Sequence, residues 1–264
     1  MFLKRMLQRA GLYEYLKYSG PFRVYELIFK PRVITAHKKE IRLYRRLLGN
    51  AGTIFDIGAF DGHKTAAFLE IGQKVIACEP DARNSELLKI RFRNKKTRVI
   101  LYQVALAETT GKGHFFIHHE GSAFNTMNPQ WKEVLEADGS QRWQEEIRFQ
   151  PGKKVDVRTT TLDELIRLHG VPDFIKIDVE GYEKRVFMGL TRKVPCISFE
   201  CLLPEFRDDL LFILEKLISL DNGTVFNVVY EEELLFGDFV SYPEILNWVD
   251  GTDLYCFDLV AKAK

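Results

Sequence analysis

Hydrophobic positions along this chain follow two rhythms. Short, near-continuous apolar runs alternate with stretches whose apolar residues recur every three or four positions. The runs at 53–57, 74–78, 98–102, 174–178, 195–200, 224–230 and 254–261 read as buried strands. The segments at 62–71, 81–94, 161–169, 181–190 and 205–221 read as helices. Alternation of this kind predicts an α/β fold, a doubly wound Rossmann-like sheet with helices on both faces. Sheets of that class take ligands outside the carboxyl ends of their strands, where the strand order reverses. Asp56, Glu79, Asp178 and Glu200 all fall at or near such ends, which predicts that they line one pocket.

Two regions break the rhythm. Residues 1–50 read as a helical extension, interrupted near Gly20-Pro21 and Lys30-Pro31, ahead of a body spanning 51–264. Within it Ile41, Tyr44, Leu47 and Leu48 keep helical spacing, so residues 34–48 are expected to dock on the body. Residues 112–158 form an insertion, with an expected strand over 114–119 and an expected helix over 131–147. It falls at the rim of the predicted pocket, where long insertions serve as lids or substrate contacts, or are surface excursions.

Charge sharpens the first of these. The net charge of the 264 residues is +1, but residues 1–48 carry +9 and the remainder about −8. A basic lead segment suits an acidic body, a second subunit or an anionic membrane face, and residues 1–20 are the expected contact surface. The acidic body argues against nucleic acid. The four cysteines show no zinc-site spacing and read as buried thiols of a reducing compartment. No apolar run approaches the roughly 20 residues of a membrane span, and the N-terminus has no uninterrupted apolar stretch of signal-peptide type. The expectation is a cytoplasmic protein, peripheral to a membrane at most.

The segment Thr53–Gly62 joins strand, glycine turn and helix start, a nucleotide-type cradle. Its spacing, Asp56-x-Gly58-x-x-x-Gly62, has Phe60 where a dinucleotide fingerprint has its middle glycine, and it is not that of a P-loop. An acidic residue two positions before the first glycine suits an uncharged or cationic ligand better than a pyrophosphate, and S-adenosylmethionine, cationic and without phosphate, fits. The alternative is a βα turn that holds no ligand. Glu79, at the end of the next strand, stands where a ribose diol is usually held.

Asp173-Phe174-Ile175-Lys176-Ile177-Asp178-Val179-Glu180-Gly181-Tyr182-Glu183, preceded by Thr161-Leu162-Asp163-Glu164-Leu165, resembles the FkbM-type methyltransferases. The resemblance continues in Glu79-Pro80-Asp81, Ala105-Leu106-Ala107-Glu108 with Gly111, and Ile197-Ser198-Phe199-Glu200, over about residues 51–202. It implies an S-adenosylmethionine-dependent enzyme, most often one that methylates hydroxyl oxygens, and a seven-stranded sheet whose last strand is antiparallel. It also implies that Gln103, Val104 and Ala105 border the adenine. Gly58 and Ala59 would then offer backbone to the methionine part, with Phe60, Gly62 and Pro80 in the same cradle. Asp56 would hold the turn or face the ammonium.

Asp178 ends an apolar strand, where a buried carboxylate needs a partner. It is assigned a place near the sulfonium and the acceptor. Glu180 and Glu200 are further acid–base candidates, and His118 is the histidine candidate, since His118 and His119 would face opposite sides of a strand. Asp178 with Glu200 could instead hold Mg²⁺; the reading taken is metal-free. The expected acceptor is a hydroxyl of a sugar, glycan precursor or secondary metabolite. The alternatives are an N-methyltransferase and a non-catalytic S-adenosylmethionine-binding module recruited through its basic N-terminus.

Overall fold

A computed structural model describes residues 13–18, 29, 31–142, 147–149 and 153–264. In chain order its helices are α1 (Tyr13–Lys17), α2 (Pro31–Leu48), α3 (His63–Phe68), α4 (Ala82–Arg91), α5 (Pro129–Arg142), α6 (Leu162–His169), α7 (Glu183–Met188), α8 (Arg207–Leu220) and α9 (Tyr242–Gly251). Its strands are β1 (Ala51–Ile57), β2 (Gly72–Cys78), β3 (Val99–Tyr102), β4 (Ala105–Leu106), β5 (Gly111–Phe116), β6 (Lys154–Thr160), β7 (Phe174–Ile177), β8 (Cys196–Leu202), β9 (Val225–Tyr230), β10 (Glu233–Leu234) and β11 (Cys256–Lys262).

Eight strands make the main sheet, in the order β10-β9-β11-β8-β7-β1-β2-β3. The run from β8 to β3 is parallel, and β11 lies antiparallel between β8 and β9. The order reverses at β1, between β2 and β7, and this places the carboxyl ends of β1 and β7 side by side. The parallel strands are apolar because both faces are covered. Phe55, Ile57, Ile175, Ile177 and Phe199 pack there with Val186 and Phe187 of α7 and Leu214 of α8.

The sheet has eight strands where seven were expected. The extra one, β10, is reached through Glu231 and Glu232, both left-handed at φ 49° and 57°. Hairpin turns of that conformation favour glycine or asparagine, so two glutamates concealed it. Helix α9 was also missed, although its capping box, Ser241 with Glu244, is a sequence-level start signal.

Helix α2 packs on the sheet. Tyr44 meets Phe68 at 4.8 Å and Phe174 at 5.7 Å between ring centroids, while Leu43 and Leu47 are buried beside it. Lys262 Nζ donates to the Leu47 carbonyl at 2.7 Å, closing the C-terminal end of the helix. Of the expected contact surface at 1–20, only 13–18 lie among the described residues; the break near Gly20-Pro21 lies outside them, and near the other, α2 begins at Pro31. The four cysteines are free. Among the described residues no helix is long and apolar enough to cross a membrane.

The insertion contributes β5, α5 and β6, and with β4 its strands make a second, three-stranded sheet. Strand β5 ends at Phe116, so His118 and His119 sit in the turn beyond it. They do not face opposite sides of a strand: their rings lie 4.7 Å apart. The expected helix over 131–147 begins at Pro129 and is described to Arg142; residues 143–146 lie outside the description.

Candidate active site

The ends of β1, β2, β7 and β8 open onto one cavity of about 300 Å³, roofed by the insertion. The β1–α3 turn supplies Gly58, Ala59 and Phe60; the β2 end supplies Glu79 and Pro80. Val104 and Ala105 follow β3, and Asp178, Glu180 and Glu200 come from the β7 and β8 ends. Phe115, Ser122, Asn125 and Met127 of the insertion close the remaining side.

Gly58 lies where the two halves meet. Its φ is 81°, and a Cβ there would stand 1.7 Å from the Asp178 carbonyl oxygen. The Asp178 N–H donates to the Ile57 carbonyl at 2.9 Å, so β1 and β7 stay joined up to the cavity floor. Gly62 has a different reason. It is also left-handed, and a Cβ would collide with Leu88 of α4 and Phe92 just after it. Gly62 therefore serves packing of α3 on α4, and it is not among the cavity walls.

Glu79 is buried and clamped. Its Oε2 accepts from the Phe60 N–H at 2.8 Å, and its Oε1 from the Asp81 N–H at 2.8 Å. Burial pushes its pKa up to about 7, against the pull of the two N–H donors. Asp81 continues the frame by capping α4, accepting from the N–H groups of Arg83 and Asn84. Asp56 does not reach the cavity walls. It is buried, accepts a hydrogen bond from the Thr65 hydroxyl and so ties β1 to α3. Burial raises its pKa to about 6.

The opposite wall is a group of carboxylates. One oxygen each of Asp178, Glu180 and Glu200 lies within 4.8 Å of the others. Below them Lys176, wholly buried in β7, reaches Asp178 Oδ2 at 3.3 Å and Asp258 Oδ1 at 3.0 Å. Burial alone would raise Asp178, but the charges of Lys176 and Lys64 hold it below the ordinary carboxylate range. Glu180 and Glu200 go the other way. Burial first, and the charge on Asp178 second, push both well above the usual value. Glu180 Oε2 accepts from Trp131 Nε1 at 3.2 Å, while the Glu180 carbonyl accepts from Thr126 Oγ1 at 2.7 Å. Glu200 Oε1 accepts weakly from the Cys256 thiol at 3.5 Å; its Oε2 is buried with no hydrogen-bond partner among the described residues.

Thus Gly58, Ala59, Phe60, Glu79, Pro80, Val104, Ala105, Asp178, Glu180 and Glu200 share one cavity, whereas Asp56, Gly62, Gln103 and His118 are not among its walls. Gln103 is exposed beyond β3. His118 Nδ1 faces Ser122 Oγ at 3.1 Å, with its ring against Phe124 and Phe149. Sequence reasoning passed over Lys176, Asp258 and Trp131. A lysine inside the apolar run Phe174–Ile177 was the available signal, since a buried ammonium requires anionic partners.

The sequence pattern of the methyltransferase FkbM domain matches residues 56–226, most of the sheet and every wall of this cavity. The chain belongs to the FkbM methyltransferase family. Among solved structures, methyltransferase FkbM from Methylobacillus flagellatus KT is 15% identical, with a TM-score of 0.48 over 80% of this chain and 43% of that one. This chain spans less than half the length of that relative. An O-methyltransferase from Bacillus cereus, in complex with SAH, is 11% identical, with a TM-score of 0.40 over 85% of this chain and 79% of that one. No curated protein matches the sequence.

Proposed function

We propose that this FkbM-family chain is an S-adenosylmethionine-dependent O-methyltransferase acting on a hydroxyl of a sugar, glycan precursor or secondary metabolite. The observation that carries the reading is the division of one cavity between a clamped carboxylate, Glu79, and the group Asp178, Glu180 and Glu200.

The residues present fit the donor. Each oxygen of Glu79 already accepts one backbone N–H and keeps a lone pair for a ribose hydroxyl. Pro80, Val104 and Ala105 give an apolar wall for a purine, and Asp178 supplies negative charge for a cationic centre. When bound, S-adenosylmethionine supplies an electrophilic methyl group on a sulfonium. The residues of this chain must orient the acceptor and take its proton. Asp178, ionised and braced by Lys176, fixes negative charge at the β7 end. Glu200 Oε2, with no hydrogen-bond partner among the described residues, accepts the hydroxyl proton. Trp131 holds Glu180 nearby, where its carboxyl raises the proton affinity of Glu200. A raised proton affinity suits a group that takes a proton from a hydroxyl.

The test combines extracts and purified protein. Cells lacking the chain should lose a metabolite one methylene heavier than its precursor. Purified protein given donor labelled at the methyl should restore that label on oxygen in the extract. Label on nitrogen, or donor binding without any transfer, would contradict the reading.

A further inference from the structure

Away from the carboxylate wall, a second polar cluster joins α2 to the start of α3. His37 and Glu40 lie three residues apart on α2, so their side chains share a face. That face meets His63, which follows Gly62 at the start of α3. Glu40 Oε2 stands 3.6 Å from His37 Nδ1 and 3.2 Å from His63 Nε2. The three donor atoms all lie within 4.8 Å of one another. Ligands held at about 2.0–2.1 Å around a tetrahedral ion stand roughly 3.3 Å apart, and two of the three edges, at 3.2 and 3.6 Å, are close to that length.

The burial of the cluster is the independent observation. Glu40 is only 4% exposed, and apart from the two imidazoles its Oε2 has no polar neighbour that hydrogen-bonds it among the described residues; the buried Nδ1 of His37 likewise makes no hydrogen bond there. Protonated imidazoles would pair with this carboxylate, whereas neutral ones leave its oxygen facing ring nitrogens with no positive charge to balance it. A cation between them would satisfy both. Lys64 Nζ lies 3.6 Å from the other carboxylate oxygen, Oε1, which leaves Oε2 directed at the two rings.

We propose that His37, Glu40 and His63 form a binding site for a divalent transition metal of the zinc class, which clamps α2 to the β1–α3 turn. Two imidazoles and one carboxylate select zinc, cobalt or nickel over magnesium and calcium. Three protein ligands leave a fourth position to water. His63 also lines the cavity, so the ion would stiffen the turn that carries Phe60 and Gly62. The charge of Lys64 opposes a second cation at Glu40, so the expected affinity is micromolar. Cysteine spacing had been the only zinc signal considered in the sequence; these ligands come from two helices and include no cysteine.

The full chain, stripped with a chelator, is titrated with Co²⁺ and then Zn²⁺, followed by visible absorption and calorimetry. The expected result is one ion per chain, a tetrahedral Co²⁺ spectrum displaced by Zn²⁺, and a Tm that rises with Zn²⁺. His63→Ala removes a half-exposed side chain, and its fold is checked by circular dichroism. Both His63→Ala and His37→Ala should weaken binding about tenfold or more. Binding that survives both variants but is lost in Glu200→Gln would move the ion to the carboxylate wall and overturn the proposal. No ion bound by the wild-type chain would overturn it as well.

Discussion

Glu79 and Glu200 stand at strand ends of one sheet and border one cavity, but in different electrostatic settings. Glu79 sits among donors: two backbone N–H groups fix both of its oxygens. Glu200 sits among acids: Asp178 and Glu180 press on it, and one of its oxygens has no hydrogen-bond partner among the described residues. Clamping makes a rigid acceptor suited to holding a neutral diol. Crowding makes a carboxylate that binds a proton readily. Residue type and position in the fold are nearly the same, so the neighbours alone divide binding from proton transfer.

The largest effect should come from forcing the two halves apart. Gly58→Ala places a methyl group against the Asp178 carbonyl at a left-handed backbone position. Left-handed strain of about 1–2 kcal/mol and overpacking of about 1–3 kcal/mol add to a stability loss of roughly 2–5 kcal/mol. Donor affinity and turnover should fall together. Denaturant melts with calorimetry check this; a variant that loses only one of the two would show that the halves are not coupled through Gly58.

Glu200→Gln should separate them. Turnover should fall about 10²- to 10⁴-fold, the usual share of a general base. In the wild type, turnover should climb with pH along a limb well above the ordinary glutamate value of 4.5, because Glu200 must be ionised to accept a proton. The variant should lose that limb. A pH–rate profile unchanged in shape would remove Glu200 from the chemistry.

A smaller effect concerns the strut behind the clamp. Folded Asp56 has a pKa of about 6 against 3.8 for the free side chain. Between those values the folded state retains a proton that the unfolded chain has released, so stability falls as pH rises through this window. Above it the penalty is full and constant. Asn keeps an acceptor for Thr65 and carries no charge. Asp56→Asn should therefore gain on the wild type by about 3 kcal/mol across the window, an order-of-magnitude figure. Melts at several pH values read it directly; a difference that stays flat would mean Asp56 is not held protonated.

The same contrast explains how much could be read in advance. The clamped half is local. Asp56, Gly58, Gly62 and Glu79 fall within 24 consecutive residues, and strand–turn–helix periodicity exposes them. Even so, a βα turn does not disclose which groups face inward: Asp56 takes the first of its two expected roles, holding the turn, and Gly62 lies outside the cavity walls. The acidic half is assembled from distance. Lys176 finds Asp258 across 82 positions, and Trp131 finds Glu180 across 49. Nothing local marks those pairs beyond a lysine in an apolar strand. His118 was misplaced for a related reason: β5 ends three residues earlier than the expected strand over 114–119.

The division of labour is tested most directly by calorimetry of S-adenosylmethionine binding to three proteins: the wild type, Glu79→Ala and Glu200→Gln. The account predicts micromolar binding to the wild type, a loss of roughly 1–3 kcal/mol in Glu79→Ala, where charged hydrogen bonds disappear, and near-wild-type affinity in Glu200→Gln. Equal loss in both variants, or binding of NAD in place of S-adenosylmethionine, would contradict it.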